Sequence, residues 1–315
     1  MSVAVDPILQ KVLHAFPIQL TTDGGPQAAR ERFREIPVRD AHPEVTAHDR
    51  TIDGPAGPIP VRIYRPPAVP EPAPAVVFLH GGGWSVGDLD SYDAVARRHA
   101  AGAHAVVVSV DYRLAPEHPF PAAVDDSWAA TRWVAGHADD LGVDPNRLAV
   151  AGDSAGGNLA AVVAQLAREA SGPRLAFQLL WYPPTTFDTS MPSFTENAEA
   201  PVLTTAGCKG YSRWYITGLD LSVIPPTLAP ARAADFSGLP PAYIGVAGHD
   251  PLRDDGIRYG QLLRGAGVPV EVHNAAALVH AFLFFDQVVP AATEATDRGL
   301  RALRTALHGP RSTRR

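Results

Sequence analysis

The chain has 315 residues, of which 46% are hydrophobic and 19% are charged. Such a composition supports a large buried core and excludes a chain that is disordered throughout. The 33 Asp and Glu residues outnumber the 27 Lys and Arg residues, giving a net charge of −6. This balance argues against a nucleic-acid-binding protein, which needs a basic face. The single cysteine, Cys208, excludes an intramolecular disulfide and a cysteine-based zinc site.

The sequence contains no segment that resembles a membrane anchor. No apolar run approaches the roughly 18 residues that a spanning helix needs. The first 16 residues include Asp6 and Lys11, and they lack the basic start, unbroken apolar run and cleavage site of a signal peptide. A lone cysteine fits a reducing compartment. We therefore expect a cytoplasmic protein without a transmembrane segment.

From about residue 48 onward, short apolar runs alternate with amphipathic segments. The runs are rich in β-branched residues and bounded by Gly or Pro, which predicts buried strands. Predicted strands cover 59–65, 75–79, 105–110, 147–151, 176–181, 242–247 and 268–273, and predicted helices cover 91–101, 122–135, 159–169, 257–264 and 291–307. Strands that alternate with helices indicate an α/β fold, in which helices cover both faces of a parallel sheet.

Two stretches interrupt this alternation. Residues 1–48 are predicted to be helical without strands. Residues 183–230 also lack a predicted strand and form a connection far longer than usual. Long insertions in compact α/β domains are usually functional, so we expect the two stretches to pack together over the carboxyl edge of the sheet. Disorder is the alternative for the N-terminal stretch. The predicted organisation is an N-terminal part of a helical cap (1–48), a first part of the core (49–182), a cap insertion (183–230) and a second part of the core (231–315).

The sequence GDSAG at 152–156 is a candidate nucleophile site. It follows the predicted strand at 147–151 and opens the next helix, which is the strand–turn–helix setting of a nucleophile elbow. Small residues on either side of the serine fit a turn so tight that larger side chains would clash. We therefore predict that Ser154 is a nucleophile exposed at the top of the sheet.

The sequence HGGGW at 80–84 follows directly after the strand at 75–79. Consecutive glycines expose backbone N–H groups without a side chain to block a reacting carbonyl, and such donors stabilise the oxyanion of a tetrahedral intermediate. We predict that Gly82 and Gly83, together with the N–H of Ala155, form an oxyanion hole. A phosphate-binding loop is the alternative, but neither a Walker A nor a dinucleotide-binding pattern follows.

A serine nucleophile needs a base, and the base needs an orienting acid. Asp250 follows the strand at 242–247, and His280 lies in a loop after the last predicted strand. His273 and His249 are weaker candidates, because one is a strand residue and the other adjoins the acid. The order Ser154, Asp250, His280 is that of an α/β-hydrolase.

With these motifs in place, the chain resembles the bacterial hormone-sensitive lipase family of esterases. The resemblance covers about residues 78–282 and rests on HGGGW (80–84), DYRLAPEHPFPAAVDD (111–126), GDSAGGN (152–158), DPLRD (250–254) and HAF (280–282). It implies an α/β-hydrolase fold with an eight-stranded, mostly parallel sheet flanked by helices, a helical cap, the same three catalytic residues, and a homodimer through a sheet edge. Ala281 stands where Gly is commoner in the family, and Asp255 stands where Glu is frequent.

The positions of other residues predict roles in supporting the site or lining its pocket. Arg113 is predicted to pair with Glu117, Asp125 or Asp126 in a rigid supporting loop. Trp84 is predicted to line the mouth of the substrate pocket. Trp181 and Tyr182 end a strand at the catalytic edge, where they either border the acyl site or pack in the core.

These features predict a serine hydrolase of short- to medium-chain acyl esters that works through an acyl-enzyme intermediate. The chemistry requires no metal ion or organic cofactor, and the expected partner is a small-molecule ester rather than a nucleic acid. An amidase or lactonase uses the same groups and is one alternative. A non-catalytic binding protein is another, since the plant gibberellin receptors resemble this family but lack the catalytic histidine, which is present here as His280.

Overall fold

The computed structural model describes residues 3–38, 41–220 and 223–309. The strands in these ranges are β1 (Gln19–Leu20), β2 (Thr46–Gly54), β3 (Gly57–Arg65), β4 (Ala73–Leu79), β5 (Val106–Val110), β6 (Val143–Asp153), β7 (Phe177–Trp181), β8 (Val202–Leu203), β9 (Ala242–His249) and β10 (Val270–Val279). None of the helices described there is long and apolar enough to cross a membrane.

The helices lie between and around these strands. They are α1 (Pro7–Ala15), α2 (Gly25–Arg34), α3 (Asp93–Ala103), α4 (Ala122–Gly136), α5 (Ala138–Leu141), α6 (Ala155–Glu169), α7 (Pro192–Glu196), α8 (Thr205–Tyr215), α9 (Arg253–Gly265) and α10 (Pro290–His308). Two short 3₁₀ helices cover Pro230–Arg232 and Phe282–Phe285.

Eight strands form one sheet in the order β10-β9-β7-β6-β4-β5-β3-β2. The six strands from β10 to β5 run parallel, whereas β3 is antiparallel to β5 and β2 forms a hairpin with β3. The predicted α/β-hydrolase fold with an eight-stranded, mostly parallel sheet is confirmed. The prediction missed β2, because its nine residues are largely polar and exposed and lack a strong apolar alternation.

Helices cover both faces of the sheet, which explains the continuous apolar strands. Every residue of β4 and of β5 is buried, as expected for parallel strands covered on both sides. One hydrophobic core lies between the sheet and residues of α4, α6 and α9, and a second lies between the other face and residues of α3 and α10. The carboxyl ends of the parallel strands meet at one edge, which is where ligands bind in such sheets.

The N-terminal segment and the insertion contact each other through a small second sheet. β1 pairs in parallel with β8, with Gln19 opposite Val202 and Leu20 opposite Leu203. The expectation that these two segments contain no strands is therefore wrong. A strand of two residues is too short to produce a periodic pattern, and its partner lies about 180 residues away in the sequence.

Candidate active site

Ser154 lies in a sharp turn between β6 and α6. Its backbone has φ 51° and ψ −121°, a strained conformation that is uncommon for a non-glycine residue and clusters at functional sites. A Cβ atom on Gly152 would collide with the carbonyl of Gly156, and one on Gly156 would collide with the carbonyl of Leu79. The small residues of the GDSAG sequence are therefore a steric requirement of this turn.

His280 and Asp250 reach Ser154 from the ends of two other strands. Asp250 directly follows β9 and His280 directly follows β10. His280 Nε2 lies 2.9 Å from Ser154 Oγ, and His280 Nδ1 lies 2.7 Å from Asp250 Oδ2. Both side chains are almost completely buried. The second oxygen of Asp250 accepts a hydrogen bond from the N–H of Leu252 at 2.8 Å, which keeps the carboxylate directed at the imidazole.

The competing histidines and the nearby acids lie elsewhere. His249 Nε2 lies 3.0 Å from the carbonyl of Val3. His273 is partly buried on β10, where burial lowers its pKa. Asp254 and Asp255 accept hydrogen bonds from backbone N–H groups of the insertion. Their side chains thus hold the insertion against α9, and neither is hydrogen bonded to His280.

The glycine loop after β4 lies beside Ser154. Gly82 has φ +102° and Gly83 has φ +58°, conformations that glycine adopts without strain. Within the described ranges, no group accepts a hydrogen bond from the N–H of either residue. Ala155 is the first residue of α6, so its N–H is one of the unsatisfied donors of that helix end. The loop therefore offers free donors in the place where the sequence predicts an oxyanion hole.

Asp153 connects the serine turn to the glycine loop, a role that was not predicted. It is 1% exposed and accepts hydrogen bonds from the N–H of Gly81 at 2.8 Å, from Tyr92 Oη at 3.1 Å and from Tyr182 Oη at 3.4 Å. The sequence does give one signal for this role, a charged residue directly beside the candidate nucleophile. A buried carboxylate needs several hydrogen-bond partners, so Asp153 could be expected to bind neighbouring groups.

The buried position of Asp153 predicts a specific dependence of stability on pH. Burial raises its pKa to about 6, so the folded chain keeps a proton that the unfolded chain releases near pH 4. This group therefore lowers stability as pH rises from about 4 to 6, by up to about 3 kcal/mol. Relative to the wild type, Asp153→Asn should gain stability across that interval, as measured by urea unfolding at several pH values.

Asp188 provides a control of opposite sign for this measurement. Hydrogen bonds from Ser190 hold the pKa of the exposed Asp188 carboxyl below its usual value, so its stabilising contribution is lost as pH falls. Because the pKa of Asp188 lies below its usual value of about 4, Asp188→Asn should run parallel to the wild type between pH 4 and 6, and it should lose stability relative to the wild type only as pH rises toward 4. Parallel curves for Asp153→Asn and the wild type would contradict the assignment to Asp153.

His80, the first residue of the glycine loop, has a structural role rather than a catalytic one. It is fully buried, its ring stacks on Tyr112 at 4.2 Å between centroids, and burial lowers its pKa to about 4. The hydroxyl of Tyr112 donates to the carbonyl of His80 at 2.6 Å. His80 is therefore neutral near pH 7 and anchors the loop at the end of β4.

The three aromatic residues assigned to the pocket lie in different places. Trp84 stacks on Tyr215 at 4.3 Å and contributes to the wall of a cavity at Ser154. Of the two alternatives for Trp181, the structure shows packing in the core, because its side chain is fully buried and its Nε1 donates to His99 Nε2 at 3.0 Å. Tyr182 is also fully buried and packs against the His280 ring at 4.7 Å, so it supports the histidine.

The predicted partners of Arg113 are partly corrected. Arg113 donates to both carboxylate oxygens of Asp126 at 2.8 Å, which makes a bidentate pair. Glu117 instead pairs with Arg30 of α2, a contact between segments that are distant in the sequence. The pairing follows from the position of α2, which the sequence alone did not predict.

Among the described residues, cavities open at and near Ser154. The first, between the catalytic groups and the N-terminal segment, has walls that include Ser154, His280, Ile18, Phe33 and Ile36. The second, which we call the α8 cavity, is lined by Ser154, Trp84, Pro184, Leu203, Cys208, Tyr211, Ser212 and Leu252, among others. The third, the distal cavity, has a volume of about 350 Å³ and shares Pro184, Cys208, Ser212 and Leu252 with the α8 cavity.

Comparison with known proteins agrees with this architecture. A family model described as "alpha/beta hydrolase fold" matches residues 76–284. The chain is 59% identical to Esterase LipI of Mycobacterium tuberculosis over 308 residues, covering 97% of this chain and 96% of that protein. It is 56% identical over 310 residues to Carboxylesterase NlhH of the same species, with coverage of 96% and 97%.

A solved structure extends the comparison to three dimensions. The thermostable esterase from Pseudomonas putida is 34% identical and has a TM-score of 0.92, with 98% of this chain and 100% of that chain covered. The chain belongs to the α/β-hydrolase family, and its resemblance to the hormone-sensitive-lipase-like branch of that family is confirmed.

Proposed function

We propose that this chain hydrolyses carboxylic esters with short to medium acyl chains through an acyl-enzyme intermediate on Ser154. The observation that carries the proposal is the continuous hydrogen-bond chain from Ser154 Oγ through His280 to Asp250, with distances of 2.9 and 2.7 Å. Several relatives support the same reaction class, since they are named esterases or carboxylesterases. One further relative, 37% identical over 255 residues, is an ethyl acetate hydrolase of Pseudomonas putida.

The first half of the reaction forms the acyl-enzyme. With Nδ1–H of His280 donating to ionised Asp250, Nε2 is free to take the proton of Ser154 as its oxygen attacks the ester carbonyl. The N–H groups of Gly82, Gly83 and Ala155 hold the oxyanion that develops. His280 then gives its proton to the departing alkoxide oxygen, and the alcohol leaves.

The second half returns the free enzyme. His280 takes a proton from a water molecule as that water attacks the acyl carbonyl, and the same three N–H groups stabilise the second tetrahedral intermediate. Collapse of this intermediate returns the proton to Ser154 Oγ and releases the carboxylic acid. Asp250 stabilises the imidazolium in both halves and fixes its orientation.

The hydrogen bonds of His280 to Ser154 and Asp250 favour catalysis over simple ligand binding. A non-catalytic receptor does not need an imidazole within hydrogen-bond distance of a strained serine. A panel of p-nitrophenyl esters, amides and lactones tests the proposal, with hydrolysis of the esters at the highest kcat/KM as the expected result. Faster hydrolysis of the amides or lactones would replace ester hydrolysis as the function, and saturable binding without turnover would favour a receptor.

We propose that the N-terminal segment and the insertion form a cap that shapes the acyl site. Both segments contribute apolar side chains to the walls around Ser154: Ile18, Leu20, Phe33 and Ile36 come from the first, and Val202, Leu203, Cys208 and Tyr211 from the second. Such a cover excludes water and selects substrates by the volume it leaves, but it supplies no bond-breaking group. The proposed boundaries of the cap are residues 1–48 and 183–230.

Cys208 offers a direct test of this cap, because it lies in the wall shared by the α8 and distal cavities. Each methylene that the pocket buries is worth about 0.8 kcal/mol, so kcat/KM should rise with acyl length for a few carbons and then fall. Cys208→Phe fills the shared wall, and the optimum should shift by at least two carbons toward shorter chains. The measurement is kcat/KM for a series of p-nitrophenyl esters.

Ala206→Phe is the matched control on the same helix, since Ala206 is exposed and lies in the wall of neither cavity. It should leave the chain-length profile unchanged. An unaltered profile in correctly folded Cys208→Phe would show that acyl chains do not pass this wall.

We propose a cytoplasmic location and a homodimeric assembly for this chain. A cytoplasmic location is consistent with the single cysteine, Cys208. A homodimer through a sheet edge would use β10 or β2, each of which pairs with a single strand in the described part of the sheet. An acidic net charge of −6 supports a small-molecule ester, rather than a nucleic acid, as the partner.

A further inference from the structure

Arg30 of α2 joins the N-terminal segment to two loops of the core. Its Nε donates to the carbonyl of Ser85 at 2.9 Å, and its Nη2 donates to the carbonyl of Ala115 at 3.0 Å. The same guanidinium makes a bidentate pair with Glu117, with N–O distances of 2.9 and 2.5 Å. Only 18% of the Arg30 side chain is exposed, and its contacts with the two carbonyls are partly buried, whereas the side chain of Glu117 is 54% exposed.

The two carbonyls that Arg30 binds belong to the glycine loop, at Ser85, and to a neighbouring loop, at Ala115, that is hydrogen bonded to it. The N–H groups of Ser85 and Val86 both donate to the carbonyl of Gly82 at 3.0 Å, which closes the turn that carries Gly82 and Gly83. The N–H of Ala115 donates to the carbonyl of Trp84 at 2.8 Å. Arg30 therefore fixes the position of Ser85, at the end of the glycine turn, relative to the loop that contains Ala115.

We propose that Arg30 is a positioning residue for the oxyanion hole, so that the N-terminal segment contributes to transition-state stabilisation as well as covering the site. The proposal rests on the esterase function proposed above. Arg30 touches neither the substrate nor a reacting atom. It acts by fixing the peptide plane of Ser85, and through the closed turn it fixes the direction of the N–H groups of Gly82 and Gly83.

Arginine suits this role better than other cations. Its planar fork reaches two carbonyls and a carboxylate at once, whereas a lysine ammonium is a single point charge. The Arg30 guanidinium holds the pKa of Glu117 at about 2, so the pair stays charged at any pH at which a serine hydrolase works. By comparison, Arg34 on the same helix makes one ion pair with Asp88 and is 60% exposed.

The test compares Arg30→Met with Arg34→Met, because both variants remove one cation from α2. A misplacement of about 1 Å at catalytic donors can cost about 10²-fold, so Arg30→Met should lower kcat for p-nitrophenyl acetate by about 10- to 100-fold with KM changed by less than about threefold. The inhibition constant of a trifluoromethyl ketone, which forms an oxyanion on Ser154, should rise by the same factor. Arg34→Met should change neither value by more than about twofold.

Chemical rescue separates positioning from a general loss of structure. Ethylguanidinium should restore part of kcat in Arg30→Ala, and ethylammonium should not, because only the former reproduces the fork. If Arg30→Met and Arg30→Ala do not fold, Arg30→Lys serves instead, since it keeps the charge and should still lower kcat by about threefold or more.

Three results would overturn the proposal. They are a kcat for Arg30→Met within about twofold of the wild type, a change confined to KM or to the chain-length profile, and an unchanged affinity for the trifluoromethyl ketone. The proposed function has a separate readout, because organophosphate labelling of wild-type Ser154 and ester turnover do not depend on any Arg30 variant. Failure of that labelling would reject the esterase itself, whereas normal labelling with unaffected Arg30 variants would reject only the role of Arg30.

Discussion

Ser154→Ala is expected to lower kcat for ester hydrolysis by about 10⁴-fold or more, because it removes the attacking oxygen and leaves His280 and Asp250 without a nucleophile. The folded state should remain intact, since alanine fits the tight turn as well as serine does. The measurements are steady-state kinetics with p-nitrophenyl acetate and thermal unfolding of both proteins. An organophosphate should add one covalent adduct at Ser154 of the wild type, detectable by mass spectrometry, and none in the variant.

Ser212→Ala is the matched control for this experiment. Ser212 also lies in the wall of the α8 cavity, but it belongs to α8 and makes no hydrogen bond with His280 in the described chain. Its replacement should leave kcat within about twofold of the wild type, as for a substitution away from the reacting atoms. Labelling of another serine, or normal turnover by Ser154→Ala, would remove Ser154 from the proposed mechanism.

His280→Asn should abolish turnover to a similar extent, by about 10⁴-fold. The asparagine amide replaces Nδ1 and keeps a donor for Asp250 Oδ2, which avoids leaving a buried carboxylate oxygen unpaired, a defect that would cost about 1–3 kcal/mol. No atom then remains in place of Nε2 to take the serine proton. Reaction of Ser154 with the organophosphate should slow in parallel, because the hydroxyl is no longer activated.

His273→Asn and His249→Asn are the controls that distinguish the candidate bases. His273 lies on β10 and His249 is bonded to the carbonyl of Val3, so both variants should keep near-normal kcat. Loss of turnover in His273→Asn together with its retention in His280→Asn would require a different base. The kinetic comparison should be accompanied by urea unfolding, which shows that each variant is folded.

Short motifs carried most of the predictive information about the site. The GDSAG sequence identifies its turn because Gly152 and Gly156 cannot be replaced without a collision with backbone atoms. The geometry of the turn therefore dictates which residues can occupy these positions, and a short sequence is enough to recognise it. Asp250 and His280 could be placed because each follows a recognisable strand. Their catalytic roles stay predictions until the variants are measured, although the structure brings their side chains into one hydrogen-bonded chain.

Residues that act across long distances in the sequence escaped prediction. Arg30 and Glu117 are 87 positions apart, and neither has a local pattern that identifies the other. Strand alternation does not show which of two covered faces a side chain enters. The sequence therefore leaves Trp181 to either the pocket or the core. The packing of its ring against His99, Tyr243 and Phe282 places it in the core.

The sequence by itself determined the α/β class, the positions of seven of the ten described strands, the elbow at Ser154 and the glycine loop. Each of these depends on local sterics or on the apolar pattern of a few consecutive residues, which a sequence displays directly. The tertiary structure alone decided the β1–β8 pair, the attachment of α2 through Arg30, and the three-way contact of Asp153 with Gly81, Tyr92 and Tyr182. These features join segments about 30 to 180 residues apart. Their contributions to stability depend on the burial of side chains and on the direction of hydrogen bonds, and both are defined only once the chain has folded.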